Sequence, residues 1–394
     1  GKGTSACMKG GKQVGCKWDD VSQAEAYAHT LAAFHKAFPE YAKHDLYLTG
    51  ESYFGQYGPN IANFILTTAP FNSTLNLRGI AQGNAVCRQE DDGLDGPVPN
   101  PHGGKNDLDM YWGKGLVSNK LYNAAYKACG FPGPGDDAGV QHSKDEASCN
   151  SLIEEAFESV GPHNTYFLYD NCDLSHVEDF LKHAGKSYHW YTEARRVELL
   201  TNGASQPLTE AYNAYRAATI PAGRALAEEA AINKTGGFPW SCGGESATRT
   251  YLTRPDVKKA LHLRDAGKSS FHYRHGGGGY PSFSIWPFLA SKLHVLVYSG
   301  DSDTCVPYKG SEDWVTELEA EGVLKETEAW RPWFSNTGKG RYAPSGYATM
   351  YKPAAAPERS FGFVTIRLAG HMVPTFMPKA SLEMISRFLG GKPY

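Results

Sequence analysis

The sequence is poor in the features that would place a protein in a membrane, on nucleic acid or around a metal ion. No run reaches the roughly 18 apolar residues that a transmembrane helix needs. The formal net charge of only −3 provides no basic surface for nucleic acid or for anionic lipid. No C-x-x-C pair is present, which argues against a zinc site of that type. We therefore expect a globular protein with no metal, no nucleic acid and no membrane among its partners.

Two short motifs do not alter this expectation. The glycine run at 276–279 lacks the Lys-Ser/Thr pair and the preceding strand of a phosphate-binding loop. His272 and His275 form an H-x-x-H pair beside that run, where a flexible glycine-rich loop is the better interpretation. Neither motif indicates a bound cofactor, and none is expected.

The composition favours a well-packed protein. Hydrophobic residues make up 41% of the 394 residues and aromatic residues 12%, which allows a sizeable core and argues against global disorder. This length suits one large α/β domain with an insertion, or two domains. The sequence begins without an initiator methionine or an apolar signal region, which indicates either processing or a truncated sequence.

The cysteines and two sequons indicate an oxidising compartment. The cysteine count is even and the spacing is wide, which suits disulfides. Asn72-Ser-Thr and Asn233-Lys-Thr are acceptor sequons for N-glycosylation. We therefore expect a protein of the secretory pathway, either secreted or vacuolar/lysosomal. The cysteines are Cys7, Cys16, Cys87, Cys129, Cys149, Cys172, Cys242 and Cys305.

Three β-prone segments each end near a residue that can carry out chemistry. The run "DLYLT" leads to Ser52, "LHVLVYSG" leads to Asp301 and Asp303, and "FGFVTIRLAGH" ends at His371. Open α/β sheets place their sites at the carboxyl ends of strands, and the order Ser, Asp, His is that of the α/β-hydrolase triad. A serine hydroxyl becomes a nucleophile when a histidine takes its proton, and a buried carboxylate orients that histidine. The pattern thus favours a serine hydrolase.

Simpler interpretations of the same residues remain open. Ser52 lies between glycines at the start of a predicted helix and is also typical of a helix-capping turn. Asp301 and Asp303 are common turn residues, and either of them suits the acid position. His371 is one of 14 histidines. The combination of order and strand-end placement is what favours catalysis.

A long helical stretch separates the nucleophile from the acid and base. From about 107 to 240 the pattern is mostly helical, with alanine-rich and charged faces, and this favours an insertion over more of a parallel sheet. The predicted division is therefore a first part of the α/β core at 1–100, a helical insertion or cap at 101–245, and a second part of the core at 246–394.

Several motifs together resemble the serine carboxypeptidase family. The segment "FPEYAKHDLYLTGESYFGQYGPNIANFI" is similar to the family's segment around its nucleophile. "LHVLVYSGDSDTCVP" and "VTIRLAGHMVPTFMPKASLEMISRFL" resemble its aspartate and histidine segments. "YWGKGLVSNKLYNAAYKAC", "YLTRPDVKKALHL" and "WRPWF" match further stretches in the same order. The resemblance implies an α/β-hydrolase fold, that is, a mixed, mostly parallel sheet with a helical insertion.

The resemblance also implies a role for each site residue. Ser52 would be the nucleophile, His371 the base, and Asp303 rather than Asp301 the acid. In the family, the glutamate at the position of Glu51 helps to bind the C-terminal carboxylate of the substrate. Because two carboxylates repel each other, Glu51 would have to be protonated, which predicts peptidase activity strongest at acidic pH. Gly50, Glu51 and the backbone N–H of Tyr53 are the expected substrate and oxyanion positions.

Two departures from the family pattern stand out. Phe54 occupies a position where the family has glycine or alanine, so the ring needs a compensating small neighbour or the elbow is displaced. The family's Asn-Gly-Gly-Pro-Gly segment, which supplies the other oxyanion N–H, is not in this sequence, nor are the N-terminal strands of the sheet. A strand next to the one before Ser52 would then be missing, so we expect an N-terminal fragment of the same precursor to pair with this chain.

The resemblance leaves the disulfide pairing open. The local pairs Cys7–Cys16 and Cys129–Cys149 are plausible by spacing, and Cys172–Cys242 would then close the insertion. The remaining Cys87 and Cys305 each follow a strand, so they form either a bridge near the active site or two free thiols.

Three functions fit the resemblance. The leading one is a serine carboxypeptidase that releases C-terminal residues from peptides through an acyl-enzyme. An acyltransferase on the same scaffold would use an alcohol in place of water, and the fold alone does not separate the two. A catalytically silent family member would act as a binding protein. The sequence itself does not indicate an oligomeric state, although members of the family often form homodimers.

Overall fold

The computed structural model describes residues 7–9, 12–14, 16–87, 103–131, 145–161, 163–169, 186, 251–261, 271–274, 282–335 and 343–394. The chain divides into two compact units. One comprises 1–19, 161–164 and 169–275, and the other comprises 20–160, 165–168 and 276–394. The second unit contains Ser52, Asp303 and His371.

A six-stranded sheet forms the centre of the second unit. Its order is β4-β5-β7-β10-β9-β8, in which β4, β5, β7 and β10 run parallel and β9 and β8 are antiparallel to their neighbours. This arrangement confirms the predicted mixed, mostly parallel sheet. The strands are β4 (Leu46–Glu51), β5 (Leu77–Gly83), β7 (His294–Gly300), β8 (Leu324–Trp333), β9 (Gly346–Pro353) and β10 (Phe361–Ile366).

The strands of the first unit form two small sheets. They are β1 (Cys7–Lys9), β2 (Lys12–Val14), β3 (Cys16–Asp19) and β6 (Phe271–Arg274). β1 pairs antiparallel with β2, and β3 pairs parallel with β6. His272 lies on β6, but its side chain is outside the described part of the structure, as is His275.

Helices cover both faces of the large sheet. In chain order the helices of the described residues are α1 (Asp20–Ala37), α2 (Phe54–Thr67), α3 (Phe71–Thr74), α4 (Gly103–Gly113), α5 (Asn119–Cys129), α6 (Glu146–Val160), α7 (Pro255–Ala260), α8 (Ser282–Lys292), α9 (Tyr308–Ala320), α10 (Val373–Phe376) and α11 (Pro378–Leu389). Residues of α1, α2, α8 and α9 pack on one face of the sheet, and residues of α11 pack on the other. No helix among the described residues is long and apolar enough to cross a membrane.

The sequence explains why the central strands are buried. In β7 every residue from Val295 to Gly300 is buried, and all of β10 is buried, because both strands are covered by helices on both faces. Strands in that setting are continuous apolar runs rather than alternating ones. Trp286 and Trp314 stack at 5.4 Å on one side of this layer. The burial holds the carboxyl ends of these strands firmly in place.

Three helices are described between residues 103 and 160. Helix α5 begins where the Ser118 hydroxyl accepts from the Leu121 N–H, and it ends at Gly130 with φ at 64°. Helices α4, α5 and α6 share an apolar cluster of their own. The predicted Cys129–Cys149 disulfide is present and joins α5 to α6.

The other cysteines and sequons have different outcomes. Cys87 and Cys305 are buried thiols, so of the two alternatives the bridge between them is wrong. Cys172, Cys242 and Asn233 lie outside the described residues, and so do the side chains of Cys7 and Cys16. Asn72 is exposed on α3.

Candidate active site

Four parallel strands bring the candidate residues to one edge of the sheet. Because β4, β5, β7 and β10 are neighbours and run the same way, their carboxyl ends lie side by side. Ser52 follows β4, Asn84 follows β5, Asp303 follows β7 and His371 follows β10. The site is therefore assembled from four separate stretches of the chain.

Ser52 lies on a strained turn between β4 and α2. Its φ of 62° is in the left-handed region, which residues with a side chain rarely adopt. The Ser52 N–H donates to the Gly83 carbonyl at 3.0 Å, and its own carbonyl accepts from the N–H groups of Gly55 and Val86, each at 3.0 Å. These three bonds hold the turn against the end of β5. Strain of this kind persists where the surroundings enforce it and is concentrated at functional sites.

The large side chain of Phe54 packs against two small residues, as its size requires. The half-buried ring lies over two glycines, one on β4 and one a turn further along α2. A Cβ on Gly50 would lie 2.3 Å from Phe54 Cγ, and a Cβ on Gly58 would lie 2.5 Å from Phe54 Cε1. The ring thus fills a slot that these two glycines leave open. This arrangement gives Gly50 a packing role.

Asp303 and His371 form a buried pair. The His371 Nδ1–H donates to Asp303 Oδ2 at 2.7 Å, and the two residues are only 3% and 0% exposed. The Cys305 N–H donates to Asp303 Oδ1 at 2.8 Å, and the Asn84 amide donates to Oδ2 at 2.7 Å. A carboxylate with these donors has a fixed orientation. It keeps the proton of the imidazole on Nδ1, which leaves Nε2 as the basic nitrogen.

Asp301 has different partners and does not pair with His371. Its Oδ1 accepts from the Leu368 N–H at 2.8 Å and from the Ser302 hydroxyl at 2.7 Å, and Lys114 Nζ lies 3.7 Å away. Leu368 has a φ of 57° in the turn that leads to His371. Asp301 thus braces that turn, and Asp303 is the aspartate that is bonded to His371.

The surroundings raise the affinity of His371 for a proton. Burial by itself lowers the pKa of His371, but the charge of Asp303, its hydrogen bond and the charge of Glu51 together raise the pKa above its usual value. The pair is therefore well suited to stabilise an imidazolium.

Glu51 has a perturbed carboxyl group. Burial raises the pKa of Glu51, while the charge of His371 lowers it and that of Asp303 raises it, with a net upward shift. Burial, followed by the charge of Glu51, raises the pKa of Tyr298 to about 12. A carboxyl group in such a setting stays neutral to a higher pH than an exposed one.

Tyr53 connects the nucleophile turn to α1. Its side chain is buried, and its hydroxyl lies 3.3 Å from Asp20 Oδ2 at the start of α1. The residue is the last before α2, and its carbonyl accepts from the Gln56 N–H at 2.9 Å. The Tyr53 N–H is therefore at the positive end of a helix dipole, which favours negative charge nearby.

A short segment at 165–168 braces the loops that carry Asp303 and His371. The Tyr166 carbonyl accepts from the His371 N–H at 2.7 Å, and the Thr165 carbonyl accepts from the Thr304 N–H at 2.9 Å. The Tyr166 ring lies 5.0 Å from the imidazole, measured between ring centres. This segment lies within the predicted insertion, and its contact with the catalytic loops could not be read from local sequence pattern.

The structure brings some of the predicted residues into direct contact and not others. Asp303 and His371 are bonded, whereas no bond between the Ser52 hydroxyl and His371 is present among the described residues. Such bonds are often long in enzymes without ligand. Asn84 was not among the sequence candidates. The one signal for it in the sequence is that it follows the β-prone run "NLRGIAQG", which predicts a strand end at this point.

No metal centre is indicated in the described part of the chain. No group of three histidine, cysteine or acidic side chains that could hold an ion occurs there. The described residues suit nucleophilic acyl transfer. They include a serine on a strained turn, a buried Asp–His pair and a glutamate with a raised pKa.

Comparison with known proteins agrees with this chemistry. The family model that matches residues 8–391 describes serine carboxypeptidase. "Serine carboxypeptidase-like 21" of Arabidopsis thaliana is 28% identical over 95% of this chain and 70% of its own length. "Serine carboxypeptidase 1" of Hordeum vulgare is 25% identical, with coverages of 92% and 67%. "Lysosomal protective protein" of Mus musculus is 26% identical, with coverages of 95% and 71%.

A solved structure shows the same fold. Kex1(delta)p, a prohormone-processing carboxypeptidase from Saccharomyces cerevisiae, superposes with a TM-score of 0.52 at 17% identity. The match covers 95% of this chain and 68% of the yeast chain. The chain thus spans about two thirds of the length of the proteins that it matches.

Proposed function

Since this chain belongs to the serine carboxypeptidase family and has its α/β-hydrolase fold, we propose that it releases C-terminal residues from peptides through an acyl-enzyme. The proposal rests on the buried hydrogen bond of 2.7 Å between His371 Nδ1 and Asp303 Oδ2. This bond lies at the carboxyl ends of the parallel strands, where the strained Ser52 also lies. A pair of this kind orients a base toward a nucleophile.

The proposed reaction has two halves. Ser52 Oγ attacks the carbonyl carbon of the last peptide bond while His371 Nε2 takes the hydroxyl proton. The Tyr53 N–H stabilises the oxyanion, and His371 then gives its proton to the departing amine. The C–N bond breaks, and the C-terminal amino acid leaves. Water then attacks the ester on Ser52 with His371 again as base, which releases the shortened peptide.

Glu51 supports the choice of a carboxypeptidase. Its pKa is raised, so the group stays neutral to a higher pH than an exposed glutamate, and in the neutral form it donates a hydrogen bond to the C-terminal carboxylate of a substrate. When Glu51 ionises, two negative charges face each other and the substrate is repelled. Binding of free C-terminal peptides is therefore strongest at acidic pH.

The proposal is tested with a fluorophosphonate and two peptides. The probe should add once to the native protein and not to a Ser52→Ala variant, as read by intact mass. The protein should release the last residue from a peptide with a free C-terminus, and release should fall strongly when the same peptide is amidated. Absence of the adduct would favour the silent binding protein. An acyl group that passes to an added alcohol rather than to water would favour the acyltransferase.

Partners, location and organisation are part of the same proposal. Strand β4 has a neighbour on one side only among the described residues, which supports pairing with an N-terminal fragment of the precursor. A homodimer is also proposed.

The exposed Asn72 and the Cys129–Cys149 disulfide support a secretory-pathway protein, either secreted or vacuolar/lysosomal, with glycosylation at Asn72 and Asn233. The core–insertion–core division at 1–100, 101–245 and 246–394 remains a prediction. Intact mass of deglycosylated native protein and size-exclusion chromatography test these points.

A further inference from the structure

Asn84 is a buried polar residue at the carboxyl end of β5, between the ends of β4 and β7. It follows β5, is 0% exposed and has a φ of 39°. Asparagine tolerates this left-handed region better than most residues because its short side chain forms local bonds. The Asn84 N–H donates to the Tyr298 carbonyl at 2.8 Å, which ties the residue to the end of β7. Asn84 is thus held on the strand that separates the nucleophile strand from the acid strand.

The partners of the Asn84 amide fix its orientation. Its Oδ1 accepts from the Gly300 N–H at 2.9 Å, and a backbone N–H can bond only to the oxygen of the amide. Its Nδ2 therefore points the other way and donates to Asp303 Oδ2 at 2.7 Å and to the Val306 carbonyl at 3.2 Å. One side chain thus holds the start, the middle and the end of the turn that carries the acid.

We propose that Asn84 is a positioning residue for the Asp303–His371 pair, and this inference rests on the proposed function. Its amide and His371 Nδ1 donate to the same carboxylate oxygen, each at 2.7 Å. The amide therefore sets where that oxygen lies and shares its negative charge. Through this oxygen Asn84 tunes both the direction of the imidazole and its affinity for a proton.

Replacement of the amide by a carboxyl group separates this role from simple packing. Asn84→Asp keeps the shape of the side chain but sets a second carboxyl group against Asp303. At low pH the two carboxyl groups share a proton because like charges disfavour ionisation, and once that proton is lost the added negative charge stabilises the imidazolium of His371. A charge this close to a titrating group shifts its pKa by about one to three units. Glu51, the other charged group acting on His371, and the Tyr166 ring are the same in variant and parent.

The chain offers a matched control on the same strand. Asn76 precedes β5 at its opposite end, and its Nδ2 donates to Asp45 Oδ1 at 2.7 Å. Asn76→Asp therefore makes the same chemical change at the same amide–carboxylate distance, away from the triad. We expect it to leave the pH profile unchanged.

The experiment measures how fast a fluorophosphonate labels Ser52 as a function of pH in the full chain. The acid limb of the parent profile reports protonation of His371. Asn84→Asp should move that limb upward by about one unit or more, and it should lower the limiting rate by about ten- to a hundredfold because the imidazole is misdirected. Asn84→Ala should lower the limiting rate by a comparable factor with a smaller upward shift.

Each outcome decides between the two proposals. If the parent is not labelled, both proposals fail, because there is then no reactive Ser52 for the Asp303–His371 pair to serve. If the parent is labelled and both Asn84 variants, shown to be folded by circular dichroism, keep its profile and rate, the positioning role is overturned. A loss of rate in both variants with no movement of the acid limb in Asn84→Asp would mean that Asn84 only packs, which also contradicts the proposal.

Discussion

The ring of Phe54 occupies the space that a side chain at Gly58 would need. A Cβ on Gly58 would lie 2.5 Å from Cε1 and 2.6 Å from Cζ of that ring. It would also lie 3.1 Å from Ile80 Cδ1. The two residues are four apart on α2, so they lie on the same face of the helix. The large residue next to the turn that carries Ser52 is therefore tolerated because a residue one turn later is small.

The packing of Phe54 against Gly58 predicts how substitutions at these two positions change the stability of the protein. Gly58→Val should destabilise the protein by about 1–3 kcal/mol through overpacking, and Phe54→Ala by about 2–4 kcal/mol through a cavity. The free energy of unfolding of the double variant should exceed, by about 0.5–3 kcal/mol, the value obtained by adding the two single effects. Urea unfolding of the four proteins measures this coupling.

A glycine in open space provides the control for that series. A Cβ on Gly113, the last residue of α4, would meet no atom within 4 Å. Gly113→Ala should be neutral or slightly stabilising because alanine restricts the unfolded chain. Additive effects at positions 54 and 58 would show that the ring and Gly58 do not share one space.

Two neighbouring aspartates should differ sharply in their effect on activity. Asp303→Asn loses the carboxylate that keeps the His371 proton on Nδ1, and it should lower kcat by about ten-thousand-fold. Asp301→Asn keeps an acceptor for the Leu368 N–H and should lower kcat by less than about tenfold. Peptide hydrolysis under saturating substrate measures both. Equal losses in the two variants would contradict the assignment of the acid.

Glu51 should give the peptidase its preference for acidic pH. The folded pKa of Glu51 is raised, so the group is neutral below that pKa and ionises as the pH rises through it. For a peptide with a free C-terminus, KM should then rise by up to about tenfold per pH unit above the pKa. Glu51→Gln should remove this rise, and an amidated peptide should not show it in the parent.

The comparison of the two peptides is the control for that prediction. A KM that climbs equally for free and amidated peptides would mean that the pH dependence arises elsewhere, for example at His371. Profiles of KM and kcat measured separately between about pH 4 and 8 distinguish these cases, because His371 acts mainly on kcat.

Asp109 should be important for the stability of the helices after the first half of the core. It accepts from the hydroxyls of Tyr122, at 2.7 Å, and of Tyr126, and Lys105 Nζ lies 2.8 Å away. Asp109→Asn replaces one acceptor by a donor that faces these donors. We expect a loss of about 2–4 kcal/mol, measured by chemical denaturation.

The exposed partner of the same lysine is the matched control. Asp313 lies 3.8 Å from Lys105 Nζ, and its side chain is 43% exposed. Because solvent screens such a pair, Asp313→Asn should change the free energy of unfolding by less than about 1 kcal/mol. A similar loss in the two variants would show that the hydroxyl bonds to Asp109 are unimportant.

Local patterns in the sequence predicted most of the elements that form the site. The run "DLYLT" and the apolar segments before Asp301 and His371 became β4, β7 and β10, because strand propensity and burial on both faces are readable from a few consecutive residues. The order of the three side chains along the chain then identified the candidate triad, and the spacing of Cys129 and Cys149 identified their bridge. For these features the determining information is contiguous in the chain.

The tertiary structure alone decided the features that depend on distant residues. It brought Asn84 to the carboxylate of Asp303, matched Phe54 with Gly50 and Gly58, and left Cys87 and Cys305 as thiols. Asn84 and Asp303 are 219 positions apart, so no local preference of either residue reveals their contact. The sequence by itself therefore determined which residues have the right chemistry. Only packing of the parallel strands determined which of them meet, because hydrogen bonds and steric fit act over a few ångströms whatever the separation along the chain.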